Sequence, residues 1–206
     1  MTSESLALLL EAKRGGVVEQ GKLLSLYSNY LKILAQAQLD RRIRRRVSAS
    51  DLVQETMLEA HRDFSDFRGA TTAEFIGWLR RILVHNLIRV TEKHLQTDKR
   101  DVRREIYIHR LHASIEQSNS RFEQVLVGRH ESPSSELRRH ERMRLLADAM
   151  AKLSEEHRQI ILMRHIEGLP FAEIATQMDR TSGACRMLWL RAMDQLRASL
   201  DGAEFE

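Results

Sequence analysis

Cysteine is nearly absent. Cys185 is the single one in 206 residues, which excludes an internal disulfide framework and fits a reducing compartment. Proline occurs twice and glycine nine times, too rarely for a strand-rich chain folded through many tight turns, so long helices are expected instead. The longest apolar run, residues 6–10, is too short for a signal-peptide core or a membrane span. Neither charge sign dominates: 33 Lys and Arg stand against 29 Asp and Glu, a net +4. That balance admits a polyanionic partner and makes the placement of the charges the deciding question. With 42% apolar and 30% charged residues, the chain is too apolar for disorder and too charged for a membrane protein. Walker-type glycine loops, nucleophile elbows and HExxH motifs are missing as well. His109 and His112 have a metal-like spacing, but no carboxylate or cysteine cluster completes a four-ligand site. The expectation is a helical, cytoplasmic binding protein with no catalytic residues, no metal and no cofactor.

Helical periodicity fills both ends. Over residues 22–38, Leu23, Leu26, Tyr27, Tyr30, Leu31 and Leu34 form one apolar stripe and predict a single helix. A cap at Ser48-Ala49-Ser50 opens a second helix through Leu52, Val53, Thr56, Met57 and Ala60. A short loop over residues 64–69 follows. Thr71 and Glu74 then stand at capping-box spacing before a helix that runs to about His94. Residues 96–135 turn polar, with Gln117-Ser118-Asn119-Ser120 and Ser132-Pro133-Ser134-Ser135 as loop signals. Helix is open to residues 103–116 and 122–127, yet no stripe is wide enough to anchor a domain. The division is therefore 1–96, a linker over 97–134, and 135–206. The second half reads as four helices: 135–153, 154 to about 168, 171–178 and 182–200. The fold class is all-α, two small helical domains.

Residues 171–200 have helix-turn-helix spacing. Cys185, Trp189, Ala192 and Leu196 step by four, three and four and give the buried seam. Ser182, Gly183, Arg186, Met187 and Leu190 are left on the opposite face near the helix start, where a DNA-reading helix meets base edges. An ordinary helical hairpin has the same spacing.

The run LSEEHRQIILMRHIEGLPFAEIA over residues 153–175 closely resembles region 4 of extracytoplasmic-function sigma factors of the sigma-70 family. DLVQET at 51–56 looks like the family's region 2.2. FRG at 67–69, followed by FIGWLRRIL at 75–83, looks like its region 2.3. The blocks stand in the family's order and cover most of the chain outside the linker. The linker and the RMLW variant at 186–189 are similar to a planctomycete-like subgroup. The resemblance implies a sigma factor with regions 2 and 4 and without regions 1.1 and 3. Such a protein binds core RNA polymerase through its β′ and β subunits, recognises −10 and −35 promoter elements, and helps melt the −10 element. An anti-sigma factor takes a place among the possible partners. The alternative is a helix-turn-helix regulator that binds duplex DNA without polymerase.

The same resemblance assigns roles. Asp51, Gln54, Glu55 and Leu58 fall at i, i+3, i+4 and i+7, one helix face, and by the resemblance take the β′ coiled coil; residue chemistry alone favours a solvated face. Phe64 and Phe67 flank a loop that in the family holds a base flipped from the −10 element. An aromatic platform of that kind contributes about 1–3 kcal/mol per stacked base. Phe64 is expected in the core and Phe67, with Arg68, at the pocket, the alternative being that both rings plug the three-helix core. Trp78 is expected in the core beside Phe75, Leu79 and Ile82. Arg80, Arg81 and Arg89 belong to a basic surface for the −10 strand, with Lys93, Lys99, Arg100, Arg103 and Arg104. His85 and Asn86 stand where many members carry Asn. Residues 41–46 hold five arginines, most simply a solvated charge run. For the −35 element the candidates are Ser182, Arg186, Met187 and Leu190, with Arg180 and Arg191 as phosphate contacts. Met187 and Leu188 replace polar and basic residues found in many relatives.

Overall fold

In the computed structural model, residues 4–39, 46–95, 101–126 and 136–203 are described. The expected positions Arg41, Arg42, Arg44, Arg45, Lys99 and Arg100 lie outside them. Among the described residues there are ten α-helices and no strand. The first five are α1 (Glu4–Lys13), α2 (Val17–Leu26), α3 (Ser28–Gln38), α4 (Ala49–Arg62) and α5 (Thr72–Leu95). A single 3-10 turn, Phe64–Asp66, separates α4 from α5. The stripe expected as one helix over 22–38 is two, broken at Tyr27, whose N–H turns back to the carbonyls of Leu24 and Ser25. Leu23 and Leu24 before the break and Leu31 and Leu34 after it are buried, so the apolar pattern runs across the break and hides it.

Local chemistry sets the starts of α4 and α5. Ser48 closes a capping box with Asp51: the Asp51 N–H donates to Ser48 Oγ at 3.1 Å, and the Ser48 N–H donates to Asp51 Oδ2 at 3.2 Å. Thr71 and Glu74 do the same for α5. Glu74 Oε2 accepts from the N–H groups of Ala70 and Thr71 at 2.8 and 3.0 Å, and these bonds hold its carboxyl below the usual range.

The middle segment differs from the loose linker expected. Residues Asp101–Leu126 form one 26-residue helix, α6, so Gln117-Ser118-Asn119-Ser120 is helix interior and not loop. Its buried stripe is Leu111, Ile115, Ser118, Asn119 and Phe122. Two polar members sit in the middle of that stripe, which is why hydropathy misses it. Both are bonded: Tyr30 Oη donates to Asn119 Oδ1 at 2.6 Å, and Gln38 Nε2 to Ser118 Oγ at 2.9 Å.

The remaining helices are α7 (Glu136–Lys152), α8 (Glu155–Ile161), α9 (Phe171–Met178) and α10 (Ser182–Ala203). A π-turn, Leu162–Ile166, continues α8. It ends at Gly168, whose φ of +76° favours glycine, and whose missing side chain leaves room for Arg121: a Cβ would lie 2.6 Å from Nη1. That guanidinium donates from α6 to the carbonyls of Glu167 and Ile166 at 2.9 and 3.3 Å.

The second half packs against the first. Helix α7 lies on α3, α5 and α6, and the buried apolar side chains form one contiguous cluster. Asn29 on α3 donates to Asp148 on α7 at 2.7 Å. The Tyr27 phenol, bonded to Ser5 and near Glu141 and Arg144 of α7, is pushed up to about 12 by burial. The seam is incompletely filled: a cavity of about 250 Å³ lies between Gln36 and Ser48 on one side and Glu155 and Gln159 on the other.

Candidate nucleic-acid interface

Helices α9 and α10 build a helix-turn-helix from the residues upward. Asp179 takes a left-handed conformation (φ 53°) that ends α9, a geometry Asp tolerates better than most residues. Thr181 caps α10, its Oγ1 accepting from the Ala184 N–H at 3.1 Å. Cys185, Ala192 and Leu196 are buried as expected, with Trp189 half-buried; Leu188 is buried beside them and is not a reader. The outer face carries Gly183, Arg186, Met187, Leu190 and Arg191, all exposed, with Ser182 half-buried at its start. Arg186 lies over the Phe171 ring at 5.7 Å, and Arg164 over the same ring at 4.9 Å. Phe171 is a residue sequence reasoning missed. Its signal is an aromatic opening a short helix, and the ring packs at the core's edge against Trp189, centroids 6.0 Å apart. Arg180 pairs with Glu156 at 2.7 Å.

A second exposed surface is the outside of α4. Leu52, Val53, Thr56 and Ala60 face the core, leaving Asp51, Gln54, Glu55 and Leu58 in solvent. Leu58 is 68% exposed.

The third surface is α5 with the loop before it. Arg81, His85 and Arg89 fall at i, i+4 and i+8 and are all exposed, forming one stripe. On one flank Arg89 meets Glu59 at 3.5 Å and Glu55 at 3.8 Å. On the other, the His85 ring stands edge-on to His112 of α6, centroids 6.5 Å apart. Burial, then His85, His109 and Arg81, lower the His112 pKa.

Three expected −10 residues are elsewhere. Phe67 is 6% exposed, packed with Phe64, Phe75 and Trp78 at centroid distances of 5.2–6.2 Å. Both loop aromatics therefore plug the core, and of the pair expected at the pocket Arg68 alone is in solvent. Gly69 permits this: a Cβ there would lie 2.4 Å from the folded-back Phe67 ring. Lys13, not anticipated, covers the ring at 5.7 Å and donates to the Gly69 carbonyl at 2.7 Å. Asn86 is 1% exposed, its Nδ2 donating to Thr56 Oγ1 at 3.3 Å; it faces α4 and not solvent. Arg80 turns inward, Nε and Nη2 donating to Glu116 of α6 at 2.9 and 3.3 Å and Nη1 to Tyr30 Oη at 3.3 Å. Trp78 is half-buried against the core, as expected.

The three surfaces are an exposed acidic and apolar face on α4, a basic stripe on α5, and the outer side of a helix-turn-helix. Residues 26–97 match the sigma-70 region 2 family and residues 143–196 match sigma-70, region 4. The ECF RNA polymerase sigma-E factor of Haemophilus influenzae is 28% identical over 151 residues, 71% of each chain. The RNA polymerase sigma factor CarQ of Myxococcus xanthus is 26% identical over 171 residues, 83% of this chain and 85% of that one. The chain belongs to the extracytoplasmic-function group of the sigma-70 family and is an RNA polymerase sigma factor. As a class, sigma factors are initiation factors whose partners are core RNA polymerase and promoter DNA. Among the described residues, no helix is long and apolar enough to cross a membrane.

Proposed function

We propose that this sigma factor docks on the β′ coiled coil of core polymerase through Asp51, Gln54, Glu55 and Leu58, with the β subunit completing the assembly. Arg68, Arg81, His85 and Arg89 then track the −10 strand. Arg180, Ser182, Arg186, Met187, Leu190 and Arg191 sit on the −35 duplex. The working units are 1–96 and 135–206, joined through 97–134. The protein acts in the cytoplasm, where an anti-sigma factor would hold it off polymerase by covering the same surfaces. The supporting observation is Leu58: it is 68% exposed, and its neighbours along the helix face are Gln54 and Glu55 on one side and His61 and Arg62 on the other. An apolar anchor within a charged rim is the composition of a docking face.

The test keeps Asp51, because its carboxylate closes the α4 cap. In Glu55→Arg with Leu58→Asp, both changed side chains are in solvent. The pair lost with Arg89 is long and exposed, and Arg89 keeps Glu59, so stability should change by no more than about 1 kcal/mol. Comigration with core polymerase should fall by about tenfold or more, the scale at which hot-spot contacts act. Transcription from every promoter should fall with it. Wild-type assembly by this variant would remove the docking assignment.

A further inference from the structure

We propose that Met187 and Leu190 read the −35 element through the methyl groups of thymine. This rests on the reading of α10 as the duplex-reading helix and names what that helix recognises. Met187 and Leu190 are 52% and 46% exposed and three residues apart on the outer face of α10. Both lie outside the seam of Cys185, Leu188, Ala192 and Leu196, which is buried on the opposite side of the helix. A merely solvated face would carry polar residues there. Arginines flank the apolar pair: Arg186 before it, Arg191 after it, and Arg180 at the turn. An apolar centre inside a guanidinium rim complements a polyanion that offers an apolar target between its charges. In the major groove that target is the C5 methyl of thymine, while cations serve the phosphates and guanine edges.

Between Arg186 and Arg191 the outer face offers no hydrogen-bonding side chain. The bases under its middle are therefore read by contact and not by donor–acceptor pattern. Three residues advance a helix by about 4.5 Å, close to the ~3.4 Å rise of one base step, so the pair covers neighbouring base pairs. Arg186, steadied on the Phe171 ring, is aimed at a guanine beside them. One turn earlier, Gly183 lets the helix start approach closely. A Cβ there would meet only Thr181 Oγ1 at 4.0 Å, so no internal packing requires a glycine at that position.

The experiment uses the full chain assembled with core polymerase and a −35 duplex selected from a random pool. The selected site should contain a guanine beside adjacent thymines. Replacing those thymines with deoxyuridine removes only the methyl and keeps every hydrogen-bonding group. Each replacement should weaken binding about fourfold and the pair about fifteenfold, the equivalent of ~0.8 kcal/mol for each buried methyl. The salt dependence should be the same on both duplexes, since no phosphate contact changes. Met187→Ala with Leu190→Ala should lower affinity for the thymine duplex and show no further loss on the deoxyuridine one. Because the decisive change is in the DNA, a folding defect cannot imitate it. Equal binding of both duplexes, with Arg186→Ala still destroying selectivity, would overturn the methyl reading and leave α10 as the −35 reader. Absence of any selected duplex sequence, with Arg186→Ala silent, would overturn both. Loss of polymerase binding by the Met187 and Leu190 variants would make the pair a protein contact and sink the proposal.

Discussion

Phe67 and Arg68 are neighbours with opposite fates, and their substitutions separate two kinds of effect. Truncating Phe67 removes a ring that touches Phe64, Phe75 and Trp78; Phe67→Ala should cost about 3–5 kcal/mol of stability. Arg68 is in solvent, so Arg68→Ala should leave stability within about 0.5 kcal/mol and slow strand opening on an intact promoter. Thermal melting and permanganate footprinting on the same promoter distinguish the two. A Phe67→Ala protein that melts like wild type would return the ring to the DNA side. Sequence reading went astray here because polar neighbours in a short loop gave Phe67 no visible partner. The ring reaches the interior only by folding across Gly69, and a side-chain path of that kind leaves no periodicity. Asn86 was placed on the DNA side through the resemblance alone; its buried partner, Thr56, is 30 residues away and leaves no local signal.

Among the elements, the π-turn after α8 has the clearest solution signature. It brings His165 against Trp189, with the indole N–H donating to His165 Nε2 at 3.0 Å; that nitrogen accepts only when the ring is neutral. Burial, and then Arg164, lower the His165 pKa in the folded state. Above about pH 6.5, the unfolded value, both states are neutral and the contribution is complete. As pH falls below that, the unfolded chain takes the proton first, and stability declines until the folded pKa is passed. Melting temperature should thus fall on acidification through this window. His165→Gln, which keeps an acceptor for the indole, should flatten that part of the profile; an unchanged slope would assign it to another group. The helices around this turn were legible in sequence to within a few residues, because their apolar steps and caps agree. The break at Tyr27 was not, since the stripe runs through it. Helix α6 was half-seen, because its contacts are made by an asparagine and a serine that look like loop until their partners on α3 are known.

At the scale of the molecule, the two sequence-matched regions lie against each other, with α6 packed on both. Their mutual packing was not legible in the sequence, because spacing along the chain does not reveal contacts such as Asn29 with Asp148. Elements named −35 and −10 lie about 25 base pairs apart, roughly 85 Å along the duplex at ~3.4 Å per step. A compact chain of this length has a radius of gyration near 17 Å, so this packing cannot hold both elements at once. Binding a whole promoter requires the seam between α3 and α7 to part, and the observed affinity is the intrinsic one multiplied by the fraction already parted. Asn29→Ala removes one seam hydrogen bond, worth about 1 kcal/mol, and leaves Asp148 with Arg144. It should lower the melting temperature slightly and yet tighten full-promoter binding several-fold, while binding of an isolated −35 duplex stays the same. Equal tightening on both DNAs, or none on either, would mean the seam does not limit promoter capture. The cavity at the same seam opens to solvent, so water already wets the joint. Osmolytes excluded from protein surface strengthen burial, so sucrose should hold the seam closed and weaken capture of a full promoter while leaving binding of an isolated −35 duplex unchanged.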